Sequence, residues 1–176
     1  MKILFISDIH GIDKNLKIID DVIEEEKIQK LVVLGDLYCG GVDKSIENFM
    51  LKHKDILICM KGNCDRESIC YSSPFLIIKD LSVIATDNID IYITHGDRYN
   101  RYSDLKVKDG ILVYGHEHIP YIIQDDNMIY ICVGSISIPR GESMPSYMIY
   151  DNKKFTIYDV DKNILFEKII RELNYE

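Results

Sequence analysis

The sequence predicts a layered α/β sandwich, and three observations carry that expectation. In the first third, apolar runs alternate with segments of helical periodicity, in the order strand, helix, strand, helix, strand, which builds a parallel sheet through βα units. From about residue 75 onward the pattern turns to strands, with two hairpin signals at Asp125-Asp126-Asn127 and Asp151-Asn152-Lys153. The runs Leu31–Leu34 and Ile56–Met60 lack polar alternation, as strands covered on both faces do. The expected sum is one domain over residues 1–176, with a second sheet made by the hairpins.

Taken in order, residues 2–7 form the first strand, which delivers Asp8 and His10. In extended backbone, side chains at i and i+2 lie on the same side. From Lys14 to Glu26, Leu16, Ile19, Val22 and Ile23 fall at helical spacing, with Asp13 as the expected cap. Gly40-Gly41 breaks the chain, and Asp43 caps a second helix reaching about Leu51. Asp65-Arg66-Glu67-Ser68 reads as a short helical turn or a loop, ended by Pro74. Phe75–Ile78, Ser82–Thr86 and Ile89–Thr94 are short strands. Asn100 to Lys108 is expected to hold one short helix with Tyr102 and Leu105 inward. Ile111–Tyr114 is a core strand. Tyr121–Gln124 and Met128–Val133 make one hairpin, and Ser146–Tyr150 and Lys154–Tyr158 the other. Ile164–Arg171 is the last strand, with Leu173 and Tyr175 trailing.

The balance of 29 Asp and Glu against 21 Lys and Arg, net −8, argues against a broad basic surface for duplex nucleic acid. Nucleotides stay open as ligands, because a bound metal ion supplies positive charge locally. No apolar run reaches membrane-spanning length, and the opening strand meets Asp8 and His10 too soon for a secretory signal. The five cysteines, at 39, 59, 64, 70 and 132, form no Cys-x-x-Cys pair. The expectation is a reduced set in a cytoplasmic protein with no membrane partner. Nothing sets up a Ser/His/Asp triad, and no Gly-x-x-x-x-Gly-Lys phosphate loop exists.

Chemistry concentrates where strands end. Five apolar runs finish in Asp8-Ile-His10, Gly35-Asp36, Gly62-Asn63, His95-Gly96-Asp97 and Gly115-His116-Glu117-His118. The fifth histidine, His53, is flanked by lysines and is expected at the surface. A lone histidine beside a strand is ordinarily a satisfied core or rim residue; an Asp, Asn or His of metal-ligand type at every one of these strand ends marks an active-site edge. Imidazole suits Mn, Fe, Co or Zn, so a mixed His/Asp/Asn set favours Mn, Fe or Zn over Ca or Mg alone. The absence of paired thiolates removes a structural zinc. Gly35, Gly62, Gly96 and Gly115 either let backbone turn close to a bound phosphate or simply punctuate strand ends.

Asp8-x-His10, Gly35-Asp36, Gly62-Asn63-Cys64-Asp65, His95-Gly96 and Gly115-His116-Glu117-His118 resemble the five ordered blocks of the calcineurin-like metallophosphoesterase superfamily. The short length, the Gly-Asn-Cys-Asp form and Gly134-Ser135-Ile-Ser137-Ile-Pro139-Arg140 resemble its small bacterial and archaeal phosphodiesterase branch. The likeness spans residues 2 to about 150. It implies a four-layer α-β-β-α sandwich. It also implies a dinuclear centre, with Asp8, His10 and His118 on one divalent ion, Asn63, His95 and His116 on the other, and Asp36 bridging. Manganese comes first, with Fe, Zn, Ni or Co as alternatives, and in such sites the ions lie about 3.5–4 Å apart. The implied reaction is hydrolysis of a small or nucleotide-like phosphodiester, by in-line attack of a metal-bridging hydroxide. A phosphomonoesterase or nucleotidase on the same site is the alternative within the class. Outside the class stands a non-catalytic metal-binding scaffold of the same fold, as in a membrane-trafficking coat subunit that the superfamily resembles; all seven ligand positions here carry metal-competent side chains, which favours the enzyme.

Two positions depart from the family pattern. Many members carry His after the Asn, as the group that protonates the leaving alcohol; here Cys64 stands there, with an ordinary pKa near 8.5. The expectation is that Cys64 lines the pocket without donating the essential proton, beside Asn63 and Asp65 as the other catalytic candidates. Asp97 stands where the branch often has another His, orienting His95 or a metal-bound water, or facing solvent. Arg66 and Arg140 are the candidates for substrate phosphate, since guanidinium forks fit phosphate oxygens. Tyr38, Tyr71, Tyr99, Tyr102 and Tyr121 either wall a base pocket or pack the core. The late hairpins leave edges through which a homodimer can form.

Overall fold

The computed structural model describes residues 1–38, 40–86, 89–103, 105 and 109–170. Strands β1 (Lys2–Ile6), β2 (Lys30–Val33), β3 (Leu57–Met60) and β4 (Ile77–Ile78) run parallel, linked through helices α1 (Leu16–Glu25), α2 (Lys44–Lys52) and α3 (Glu67–Ser72). Strands β5 (Leu81–Ala85), β6 (Asp90–Thr94), β7 (Gly110–Tyr114), β8 (Pro120–Asp125) and β9 (Met128–Val133) form a second sheet in the order β5-β6-β7-β9-β8. The chain then returns. Strands β10 (Ser146–Asp151), β11 (Lys154–Asp159) and β12 (Ile164–Ile169) extend the first sheet to seven strands, β12-β11-β10-β1-β2-β3-β4.

That return corrects one expectation: of the two signalled hairpins, β8–β9 joins the second sheet and β10–β11 does not. The β10–β11 hairpin pairs antiparallel with β1, Lys2 opposite Asp151 and Phe5 opposite Met148, and covers an edge that would otherwise stay open. Local patterning marks a hairpin but does not say which edge receives it.

The missing polar alternation has its explanation in the layers. Ile3, Phe5, Val32 and Leu34 pack between the sheets against Ile91, Ile93, Ile111, Val113, Ile129 and Ile131. Their neighbours Leu4, Ile6, Leu31 and Val33 meet Leu16, Ile19, Val22 and Ile23 of α1 and Ile46, Phe49 and Met50 of α2. Odd and even positions thus both face apolar layers. The outer face of the second sheet carries Leu112, Tyr114, Met128 and Cys132, with Leu105, Tyr121 and Tyr130 packed on them.

Smaller expectations divide. Asp43 caps α2, its carboxylate accepting the N–H groups of Ser45 and Ile46. Asp13 does not cap α1. That helix starts at Leu16, Asp13 uses its main-chain carbonyl for the Leu16 N–H, and Asn15 donates its side-chain amide to the Ile136 carbonyl at 2.6 Å. No helix forms over residues 100–103: Asn100 Oδ1 accepts the Tyr102 N–H and Ser103 Oγ donates to the Asn100 carbonyl, local bonds that compete with a helix. Tyr102 points out, 73% exposed; residues 104 and 106–108 lie outside the described chain, as do Arg171, Leu173 and Tyr175. His53 is buried rather than solvated, its Nε2 2.5 Å from Asp20 Oδ1 and its ring edge-on to Phe49. The end of α2 folds over α1, which the flanking lysines do not reveal. No disulfide joins Cys59, Cys64, Cys70 and Cys132, and Cys39 lies outside the described residues.

Candidate metal centre

The strand ends gather at one edge of the sandwich, but not with the backbone that alternation suggests. β1 stops at Ile6, and Asp8 and His10 both take left-handed conformations, φ 55° and 51°. Their side chains are therefore not an extended i, i+2 pair. Asp36, His116 and His118 are left-handed too, at 52°, 61° and 62°. Each such residue costs of order 1–3 kcal/mol, and such residues cluster at functional sites where surrounding contacts hold them. Here the hold is backbone pairing between the two loops: Asp8, His10 and Gly11 donate their N–H groups to the carbonyls of Gly35, Asp36 and Leu37.

The polar atoms converge with too few protons. His10 Nε2 lies 3.3 Å from His118 Nε2 and 3.4 Å from Asp36 Oδ2; His118 Nε2 lies 3.3 Å from Asp8 Oδ1. His118 already donates its Nδ1–H to the Ile138 carbonyl at 2.7 Å, so its Nε2 presents a lone pair in the neutral ring. Asp8 Oδ1 is buried with no hydrogen-bond partner. On the other side, His95 donates Nδ1–H to the Leu34 carbonyl at 2.7 Å and turns Nε2 toward Asn63 Oδ1 at 3.0 Å and Asp36 Oδ2 at 3.5 Å. Lone pairs facing one another inside a protein are costly unless a cation stands among them. The sets Asp8–His10–His118, Asp8–Asp36–His95 and His10–Asp36–Cys64 each bring their ligand atoms within 4.8 Å. The donor set fits divalent metal ions of the imidazole-accepting kind.

Electrostatics agree. Burial pushes the Asp8 carboxyl up, yet the His118 ring 3.3 Å away and the charges of His95 and His118 outweigh it and hold the group below its ordinary value. Burial pulls His118 down, but Asp8 and the Ile138 carbonyl raise it overall. Burial is the main reason that His10 is lowered.

Tight backbone approach frames the pocket. A Cβ at Gly62 would collide with Asp36 Oδ1 and the Asp36 N, and one at Gly115 with Ser7 Oγ and Asp8 Oδ2; glycine is required at both. Cys64 N–H donates to Asp36 Oδ1 at 2.8 Å, and His116 N–H to Asp8 Oδ2 at 2.9 Å. Asp65 lies beneath, 3% exposed, with Oδ1 accepting the N–H groups of Leu37 and Tyr38 and Oδ2 that of Gly62. One carboxylate therefore knots the Asp36 loop to the Asn63 loop. Its pKa is raised by burial.

The remaining candidates fall at different distances. The His116 ring is edge-on to His95 with centroids 5.1 Å apart, and it belongs to none of the three tight sets. Asn63 and Cys64 are exposed at the mouth. Arg66 precedes α3 and is exposed; Arg140 is exposed as well, with its N–H on the His118 carbonyl. Asp97 lines a cleft next to the centre. Tyr38 is core, whereas Tyr121 bonds Tyr114 and Glu117. Residue-level reading missed Ser135, whose Oγ donates to the Asp8 carbonyl at 2.8 Å and accepts from the N–H groups of Ser137 and Ile138. The Gly134–Arg140 segment was its signal, without a role for the hydroxyl.

Comparison with known proteins adds the lineage. Residues 1–154 match the family model of the calcineurin-like phosphoesterase superfamily domain. Phosphodiesterase YfcE of Escherichia coli K12 is 27% identical over 182 residues, covering 96% of this chain and 97% of that protein. Phosphodiesterase MJ0936 of Methanocaldococcus jannaschii is 26% identical over 168 residues, covering 88% and 95%. The solved structure of YfcE, described as a phosphoesterase, superposes with a TM-score of 0.87 at 26% identity, covering 97% of this chain and 100% of that one. Vacuolar Protein Sorting 29 from Cryptosporidium parvum shares the fold, with a TM-score of 0.68 at 18% identity over 96% of this chain and 98% of that one.

Proposed function

The chain belongs to the calcineurin-like phosphoesterase superfamily, and from that premise we propose that it is a metal-dependent phosphodiesterase acting on a small or nucleotide-like phosphodiester. The observation that carries this reading is the proton-poor convergence of Asp8, Asp36, His10, His95 and His118, all but His10 buried, at one edge of the sandwich. The likeness to phosphodiesterases over nearly the whole chain supports it.

In this reading Asp8, His10 and His118 would hold one divalent ion and Asn63, His95 and His116 the other, with Asp36, which faces both His10 and His95, shared between them and manganese the favoured metal. When bound, the pair supplies an acidified water as nucleophile and positive charge for the phosphoryl oxygens. The chain's own residues do the positioning. The Ile138 and Leu34 carbonyls fix the tautomers of His118 and His95, and Asp65 sets the spacing of the Asp36 and Asn63 loops. Cys64 lines the mouth beside Asp36 and is not the essential acid. Arg66 and Arg140 are the candidate contacts to substrate phosphate from the rim. Residues 1–176 act as one domain in a cytoplasmic setting.

The test is to strip the protein of metal, titrate Mn while counting bound ions, and follow bis-p-nitrophenyl phosphate against p-nitrophenyl phosphate. Two ions per chain with diester turnover is the expected result. Preference for the monoester would move the protein to the phosphatase reading, and failure to bind metal would overturn the proposal.

A further inference from the structure

The phosphodiesterase reading leaves the departing half of the substrate undefined, and the inference drawn here rests on that reading. A cleft of about 210 Å³ opens between the segment leading into Asn63 and the segment leaving His95. Lys61, Asp97 and Arg98 line it, with two ion pairs at its rim, Lys79–Glu67 at 3.2 Å and Arg98–Asp80 at 2.6 Å. These six charges are not equivalent. The two rim pairs are exposed and weak, so their cations can turn to another anion at little cost. Lys61 is half-buried and makes no ion pair among the described residues; its ammonium donates to the Gly62 carbonyl at 3.1 Å. An ammonium has three donors, so further capacity faces the cleft beside Gly62, the residue that precedes Asn63.

We propose that this cleft binds a second phosphate carried by the leaving alcohol, with Lys61 as a specificity-determining residue. The substrate class is then a phosphodiester whose departing alcohol is itself phosphorylated. Hydrolysis breaks the phosphorus–oxygen bond to that alcohol; the oxygen of water joins phosphorus, one of its protons ends on the alcohol, and a phosphorylated alcohol leaves. Asp97 in the same cleft opposes an anion, so removing its charge strengthens binding. A cleft built for a cationic alcohol would respond in the opposite direction.

The experiment uses the Mn-loaded protein and two readouts. Calorimetry compares adenosine 3′,5′-bisphosphate with adenosine 5′-monophosphate. Kinetics compare a dinucleoside monophosphate with the same dinucleotide carrying a terminal phosphate at either end, with bis-p-nitrophenyl phosphate as the reference whose leaving group carries no phosphate. The bisphosphate should bind about tenfold tighter than the monophosphate, as one added charge-assisted contact allows. That gain should vanish in Lys61→Ala, persist in Lys61→Arg and grow in Asp97→Asn, and the phosphorylated dinucleotide should follow it through KM. Turnover of bis-p-nitrophenyl phosphate should stay within about twofold in the Lys61 variants, since that substrate has no second phosphate. Equal binding of the two ligands by wild type, equal loss of both in Lys61→Ala, or weaker bisphosphate binding in Asp97→Asn would overturn the proposal. If wild type fails to hydrolyse bis-p-nitrophenyl phosphate, the phosphodiesterase reading fails, and the calorimetric comparison still decides the cleft.

Discussion

Two histidine–aspartate pairs in this chain behave in opposite ways. His53 and Asp20 close on each other between α2 and α1, and the Lys52 ammonium sits 3.0 Å from the second carboxylate oxygen. Burial pushes the Asp20 carboxyl up, but the bonds from His53 and Lys52 outweigh it and hold it below its ordinary value. Charge and hydrogen bonds match there without any ligand. His118 and Asp8 are also neighbours, yet the His118 Nδ1–H belongs to the Ile138 carbonyl, Asp8 Oδ1 has no hydrogen-bond partner, and a second imidazole nitrogen points at the same spot. The residue types are the same. What separates a structural pair from a candidate ligand set is whether the protons suffice.

Breaking the two pairs should therefore have different readouts. The largest effect is expected at Asp36, which faces both His10 and His95. Asp36→Ala should lower kcat/KM for bis-p-nitrophenyl phosphate by about a thousandfold, equivalent to about 4 kcal/mol, and bound metal counted by elemental analysis should fall with it. Asp65→Ala should act on the frame instead. Three buried N–H groups lose their acceptor at about 1 kcal/mol each, so unfolding in urea should show a loss of about 3 kcal/mol. Unchanged stability would show that Asp65 does not hold the loops together.

Metal should stabilise one pair and ignore the other. Adding Mn at a hundredfold excess over its dissociation constant should raise the unfolding free energy by about 2.7 kcal/mol. His53→Ala should lower stability by about 1–2 kcal/mol while leaving both the Mn increment and kcat unchanged. If that variant loses metal as well, the two pairs are not independent. The smallest effect concerns acid. Asp20 has a depressed folded pKa, so its contribution to stability is full above the ordinary carboxylate value of 3.8 and disappears as pH falls through the lower folded value. Asp20→Asn should flatten that part of the stability-versus-pH curve, measured by urea midpoints below pH 4.

Much of the centre was legible beforehand because its residues sit at the ends of continuous apolar runs, and such runs are visible one residue at a time. Asp8, Asp36 and His95 could be named from position alone. Their backbone could not. A left-handed φ at Asp8, His10, Asp36, His116 and His118 is imposed by pairing between loops that lie far apart in sequence, so alternation within Asp8-Ile9-His10 pointed to the wrong local geometry. Asp65 was selected as part of Gly62-Asn63-Cys64-Asp65, but the three N–H groups it accepts come partly from Leu37 and Tyr38, on another loop.

By itself the sequence determined what depends on neighbours along the chain: the parallel strands, the amphipathic helices, the Asp43 cap and the two hairpins. These follow from side-chain periodicity and from hydrogen bonds spanning a few residues. Only the tertiary structure decided which edge each hairpin occupies, that His53 is buried against Asp20, and which imidazole nitrogen faces the centre. Those outcomes depend on surfaces and carbonyls brought together from distant segments, such as Ile138 behind His118 and Leu34 behind His95. No local pattern encodes a partner that folding has yet to place.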